Sequence, residues 1–388
     1  VEENGDSWAV AYNYYTHIKT IGVDSFVTTP FEAMDRSHEF TVGAEYQHLD
    51  KDFTYGGGDY FPINVFDPGS IDIPKQDYER NNGNWSKSDQ YGFYTRAKLN
   101  VSDWLDVVGG SRVSWYENRR QSNNLAWGEW ALQDARTRET GEVTPFAALI
   151  YDLNEHLSVY ASYADIFQPQ SSYATVDGAA LKPKIGDNYE LGIKGEWFDG
   201  RLNSSLALFR AIEKNAAESD YIAQCPTSAD GYCYTDTGKV RAQGVEVEIS
   251  GEVLERLQLF GGYTYTQTES LKNIDSAVEG GTSNTYVPRH MLRMWGDYPL
   301  DGALSKWSVG AGVNAQSSNY RVQTIKLEQA GYATWNARLA YRVDDTWTVA
   351  LNGNNLFDKT YYNTVGTASW GNFYGEPRNF TVSLKGNF

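Results

Sequence analysis

Apolar and polar residues alternate along most of this chain. The last ten positions show it most cleanly: Phe380, Val382, Leu384, Gly386 and Phe388 share one parity, and Asn379, Thr381, Ser383, Lys385 and Asn387 the other. A strand sends two such sets to opposite faces, whereas a helix would scatter them around its circumference. The split recurs at Trp335, Ala337, Leu339, Tyr341 and Val343, at Tyr189, Leu191, Ile193, Gly195 and Trp197, and at Val245, Val247, Ile249 and Gly251. The polar parity carries charges as well as hydroxyls, among them Glu190, Lys194, Glu196, Glu246 and Glu248. That face meets solvent in a soluble sandwich and an aqueous lumen in a barrel.

The connections discriminate between the two. Short turns at 100–103, 152–156, 199–201, 252–256 and 343–346 alternate with long polar segments at 50–87, 119–141, 168–187, 215–238, 270–286 and 358–376. Outer-membrane barrels place short turns at the periplasmic end and long loops outside; a sandwich has no reason to gather six long loops at one end. Trp104, Trp197, Phe198, Tyr298, Trp307, Trp347 and Phe388 gather at the short-turn end, as an interfacial girdle would. The reading is all-β: one transmembrane antiparallel barrel domain over 1–388, with about sixteen strands of roughly 10–14 residues. The first two are placed at 8–17 and 22–33, the third at 37–49 and the last at 377–388.

Composition narrows the classes. Aromatics reach 14%, with 28 Tyr and 12 Trp, which suits strands and interfacial belts. No run of 18 apolar residues occurs, so a helical membrane protein is excluded. A net charge of −17 argues against nucleic acid, which needs a basic stripe. His17, His38, His48, His156 and His290 are scattered without metal spacing. Asp50-Lys51-Asp52 ahead of Gly56-Gly57-Gly58-Asp59 lacks the twelve-residue pattern of a calcium loop. Gly310-Ala311-Gly312 lacks the third glycine of a dinucleotide turn. No nucleophile, base and orienter can be assembled, so no enzyme, resident metal or cofactor is expected.

Several motifs, in order, resemble those of the TonB-dependent siderophore receptors. Residues 352–362 (Asn-Gly-Asn-Asn-Leu-Phe-Asp-Lys-Thr-Tyr-Tyr) resemble the family's penultimate strand and loop start, and 375–380 (Gly-Glu-Pro-Arg-Asn-Phe) the entry to its last strand. Phe388 resembles its aromatic terminus. Leu181-Lys182-Pro183-Lys184 leading into Asn188-Tyr189-Glu190-Leu191-Gly192, then Gly244-Val245-Glu246 and Pro288-Arg289-His290, are similar to further family stretches. The nearest branch is that of the ferric coprogen and ferric pyoverdine receptors.

The resemblance implies a Gram-negative outer-membrane receptor that imports a ferric siderophore as cargo, energised through TonB, in contact with outer-membrane lipid and lipopolysaccharide. Family barrels have 22 strands around a plug. No plug or TonB-binding segment is recognisable here, so the chain reads as a C-terminal part whose strands flank a gap rather than closing alone. The alternative is a passive porin-like channel of about sixteen strands.

Two expectations concern sites. Cys225 and Cys233 are the only cysteines, fall in one long loop on an oxidising surface, and are expected to pair. Acidic residues outnumber basic ones 50 to 33, which disfavours a strongly anionic tris-catecholate chelate; a ferric hydroxamate or mixed-type siderophore held by loop aromatics is expected instead. The resemblance agrees, since that branch takes hydroxamate-containing chelates. The chosen contacts are Trp85, Trp127, Trp130, Tyr320 and Arg321.

Overall fold

The structure is a computed structural model. It describes all residues except 1–5, 65–66, 68–74, 76, 81, 124–132, 226–227, 229–231, 323–325 and 367–370. Strands β1 (Asp6–Ala33), β2 (Arg36–Asn64), β3 (Asn82–Ser102), β4 (Leu105–Asn123), β5 (Gln133–Asn154), β6 (Leu157–Gln168) and β7 (Lys184–Trp197) are followed by β8 (Leu202–Gln224), β9 (Tyr232–Leu254), β10 (Leu257–Lys272), β11 (His290–Pro299) and β12 (Trp307–Gln316). A hairpin of β13 (Asn319–Val322) and β14 (Lys326–Gln329) precedes β15 (Tyr332–Arg342) and β16 (Trp347–Asn354); a second hairpin, β17 (Tyr362–Thr364) and β18 (Phe373–Tyr374), precedes β19 (Asn379–Gly386). All but the two hairpins join one antiparallel sheet of 15 strands, each beside its sequence neighbour.

One face of this sheet is a continuous apolar band. Val382 pairs with Leu351, Leu351 with Leu339, Leu339 with Val309 and Val309 with Tyr298. Farther along, Leu99, Val107, Leu149, Ala161, Leu191, Leu208 and Val245 form a similar row. These side chains lie bare, with Phe380, Val382 and Leu384 at 63, 72 and 63% exposure. A soluble fold would bury them; here they form the lipid face of a barrel wall. Aromatics fringe the band at both heights. Trp104–Tyr151, Trp307–Tyr341 and Trp347–Phe388 pair near the short turns, and Tyr91–Trp115 and Tyr163–Tyr189 near the long loops. From Leu105 to Trp115 the strand rises about 33 Å, or about 25 Å of height at a tilt of about 40°, which matches a bilayer's apolar layer.

The opposite face is polar and ion-paired. Arg112 grips Glu45 with two bonds of 2.5 and 2.6 Å, Arg96 meets Glu39 at 2.7 Å, Lys98 meets Asp106 at 2.9 Å and Arg338 meets Asp297 at 3.2 Å. Gly244 marks a close approach in the wall, since a Cβ there would stand 1.9 Å from the Tyr265 carbonyl oxygen.

Beyond the two added hairpins, the strand count of the wall differs from the sequence reading at one place. Residues 8–17 and 22–33 are a single strand, β1, and no turn interrupts it. The change of apolar parity between Tyr12 and Tyr14 on one side and Ile21 and Val23 on the other falls within one uninterrupted ladder to β2, so it marks a change from inward-facing to outward-facing apolar side chains, not a reversal of the chain. The first reversal is the two-residue turn at Met34 and Asp35, both with positive φ (54° and 58°), the left-handed pair that suits a tight hairpin. β1 therefore ends at the short-turn side, and so does β19. Both sheet edges run the same way, and among the described residues each is paired on one side only. An all-antiparallel cylinder cannot join two edges of equal direction, so the passive sixteen-stranded pore has no sealed cylinder to support it.

Candidate functional site

The long-loop end carries three distinct surfaces. The first is an inner-face aromatic wall on β1 and β2. Register places Tyr14 opposite Tyr55 and Thr16 opposite Phe53, on the same side as Asp24, whose carboxylate accepts from the Tyr94 hydroxyl at 2.9 Å on the polar face. The rings of Tyr12 and Tyr14 lie 5.6 Å apart, Tyr14 and Tyr55 5.9 Å, Phe53 and Tyr55 5.7 Å, and Tyr14 and Phe53 6.0 Å. Tyr12 and Tyr14 are 46% and 58% exposed, so they present ring faces to the lumen side.

The Gly56-Gly57-Gly58 run borders this wall. Tyr12 pairs with Gly57 and Ala11 with Asp59, which leaves Gly58 as the extra residue of a bulge. Gly57 and Gly58 have φ of 137° and 121°, and a Cβ at Gly57 would stand 2.4 Å from the Ala11 carbonyl oxygen. Glycine is the residue that tolerates both demands.

The second surface is a locked sector where 169–183 folds onto the β8–β9 tip. Gln170, buried, donates to the carbonyls of Lys182 and Asn215 at 2.7 Å each and accepts from the Ala217 amide at 3.0 Å. The Ala174 amide donates to Ser228 Oγ, the Tyr234 amide donates to the Ala174 carbonyl, and the rings of Tyr173 and Tyr234 lie 4.2 Å apart. Arg120 reaches this loop from β4, donating to the Ser172 carbonyl at 2.9 Å. Cys225 and Cys233 are joined by a disulfide with a Cα–Cα distance of 4.8 Å. With Ala174 and Leu181 they make a small buried core at the rim. Asp177, on this loop, is held below the usual carboxylate range by the Thr175 hydroxyl and nearby backbone amides.

The third surface is a cleft of about 350 Å³ between 273–289 and the β13–β14 hairpin, lined by Thr266, Thr268, Asn284, Arg289, Tyr320 and Lys326 among others. Lys326 lies 4.4 Å over the Tyr320 ring and donates to Glu328 at 2.7 Å, a bond that holds its ammonium above the usual lysine range. A neighbouring hollow of about 300 Å³ is lined by Arg293, Asn314, Tyr332 and Tyr361, whose two tyrosine rings stack at 4.2 Å.

The residues chosen from sequence fare unequally. Tyr320 lines the cleft, while Arg321 alternates to the other side of its hairpin and is exposed. Trp85 lies on an upward extension of β3 with the parity of Tyr91 and Phe93, the outward face, and its indole donates to Asp50 at 2.9 Å. It does not join the inner wall. Trp127 and Trp130 lie outside the described residues. The sequence pattern does not reveal the inner wall, because it places Tyr12 and Tyr14 in a short membrane strand over 8–17.

A family model of TonB-dependent receptor-like β-barrels matches residues 2–356. The chain is 50% identical over 384 residues to the ferric-pyoverdine M114 receptor PbuA of Pseudomonas sp. strain M114, covering 95% of this chain and 45% of that one. It is 33% identical to the ferripyoverdine receptor of Pseudomonas aeruginosa, over 98% of this chain and 46% of the relative. The solved P. aeruginosa ferripyoverdine receptor bound to ferripyoverdine superposes with a TM-score of 0.83 at 32% identity, over the whole of this chain and 51% of that one. The chain thus spans about half the length of the relatives it matches.

Proposed function

Because the chain belongs to the TonB-dependent outer-membrane receptors, we propose that it forms most of the barrel wall of an importer of a ferric siderophore of the pyoverdine class. The chelate is cargo, held at the extracellular mouth and passed inward with energy delivered through TonB; no resident cofactor takes part. The observation that carries this reading is the inner aromatic wall of Tyr12, Tyr14, Phe53 and Tyr55, with two tyrosines left open toward the lumen. Rigid phenol faces offer large contact area with a polar handle, which suits a flat, amphipathic chelate. On β2–β4 the luminal cations Arg96, Lys98 and Arg112 are already paired with carboxylates, which leaves that sector little charge for a trianionic tris-catecholate and favours hydroxamate or mixed coordination.

The test is uptake of radioactive ferric iron by iron-starved cells that depend on this receptor. Iron delivered as ferripyoverdine or a ferric trihydroxamate enters, and it ceases to enter when the proton gradient is collapsed. Uptake confined to tris-catecholate complexes would overturn the ligand class; uptake indifferent to the gradient would overturn the active mechanism.

A further inference from the structure

Across the lumen wall, cations differ in what they meet. Arg96, Lys98 and Arg112 each hold a carboxylate, and Lys194 lies 5.0 Å over the Tyr160 ring. Arg293 on β11 is placed otherwise. It shares parity with Asp297, which receives Arg338 on the polar face, so it also faces the lumen. It lies four residues nearer the long-loop end, about 13 Å along the strand. In register Arg293 stands between Gly262 and Asn314, and Asn314 stands beside Thr334. The first acid along that row, Glu248, is two strands away across Gly262. Arg293 is exposed, and among the described residues no carboxylate is bonded to it.

Its guanidinium serves the hollow of about 300 Å³ whose wall includes Asn314, Gln316, Thr334, Tyr332 and Tyr361. Every other lining residue described there is neutral. The stacked rings of Tyr332 and Tyr361 make one side rigid, and Arg293 is close enough for its charge to act on the Tyr332 phenol. The amides and the hydroxyl add hydrogen-bond donors around a single cation. One planar cation with neutral donors matches one planar anion, and a carboxylate takes two parallel N–H bonds from a guanidinium. Three negative charges would exceed what one cation can neutralise. A hollow of this size accepts one arm of a chelate and not the whole. We propose that it is a carboxylate-binding subsite of the importer and that Arg293 makes the receptor prefer ferric chelates bearing a free carboxylate; this rests on the receptor reading above.

The experiment uses the full-length receptor and two iron-loaded probes. One is a pyoverdine with a free side-chain carboxylate; the other is the same molecule with that carboxylate converted to its amide. Quenching of receptor tryptophan fluorescence reads the affinity of each. The parent binds the acid about ten-fold more tightly than the amide. R293Q binds the acid about ten-fold more weakly than the parent does, binds the amide as the parent does, and no longer separates the two. R293K keeps part of the preference, since an ammonium retains the charge without the fork. R342Q, which removes a cation of the same parity as Arg338 at the short-turn end of β15, keeps the whole preference. Equal affinity of the parent for acid and amide overturns the subsite and leaves the receptor reading standing. So does an R293Q variant that loses affinity for both probes alike, because Arg293 would then act through the protein and not on the ligand's carboxylate. Failure of the parent to bind either probe overturns the receptor reading and the subsite with it.

Discussion

Two sectors of the same rim are built in opposite ways. Between β6 and β9 the rim folds onto itself: Gln170 satisfies three backbone groups, Leu181 and Ala174 are buried, and a disulfide closes the tip. On β1 and β2 the rim stays a plain extended ladder whose aromatic residues remain open on the inner face. Side chains spent on internal satisfaction cannot also receive a ligand. The locked sector holds shape, and the open sector offers contact area.

Breaking the open sector carries the largest expected effect. Tyr14→Ala together with Tyr55→Ala removes the two rings at the centre of the wall and weakens ferripyoverdine binding by about a hundred-fold, at roughly 1–2 kcal/mol for each anchor lost. Tryptophan fluorescence titration of the purified receptor measures it. A change of less than three-fold or so would make the wall a packing feature.

Breaking the locked sector costs local order instead. Cys225→Ser with Cys233→Ser releases a short loop worth about 2–3 kcal/mol of unfolded-state restriction. Hydrogen exchange over 169–183 speeds up, while ferripyoverdine affinity falls less than about five-fold. An affinity loss equal to that of the tyrosine pair would erase the distinction between the sectors.

Gln170→Ala sharpens the point at smaller amplitude. It strands two part-buried carbonyls and one amide, at about 1–3 kcal/mol in all, and loosens the same loop with the disulfide intact. Exchange rates that stay at the parent's values would show that the disulfide alone holds the sector. Smallest is Trp85→Ala: its ring faces outward, so binding stays within about two-fold of the parent. A large loss there would reverse the assignment of faces.

The wall was legible in the sequence because lipid and lumen impose opposite demands on alternate residues, and the final strand, 379–386, states them without exception. Above the membrane that demand lapses. Residues 50–64 and 82–87 carry polar groups on both parities and read as loop, yet they continue β2 and β3 because backbone pairing persists without an apolar face. The same lapse hid the site. Whether Tyr12 or Trp85 faces inward depends on strand register, which composition cannot supply. The Cys225–Cys233 pairing needed only compartment and count, and that information was local.

The central claim is that the inner face of β1 and β2 receives the chelate. The direct measurement is an electron cryo-microscopy structure of the receptor with a gallium-loaded pyoverdine. The account predicts ligand atoms within contact distance, about 4 Å, of the rings of Tyr12, Tyr14 or Tyr55. Ligand density confined to the Tyr320 cleft, with that wall bare, would contradict it.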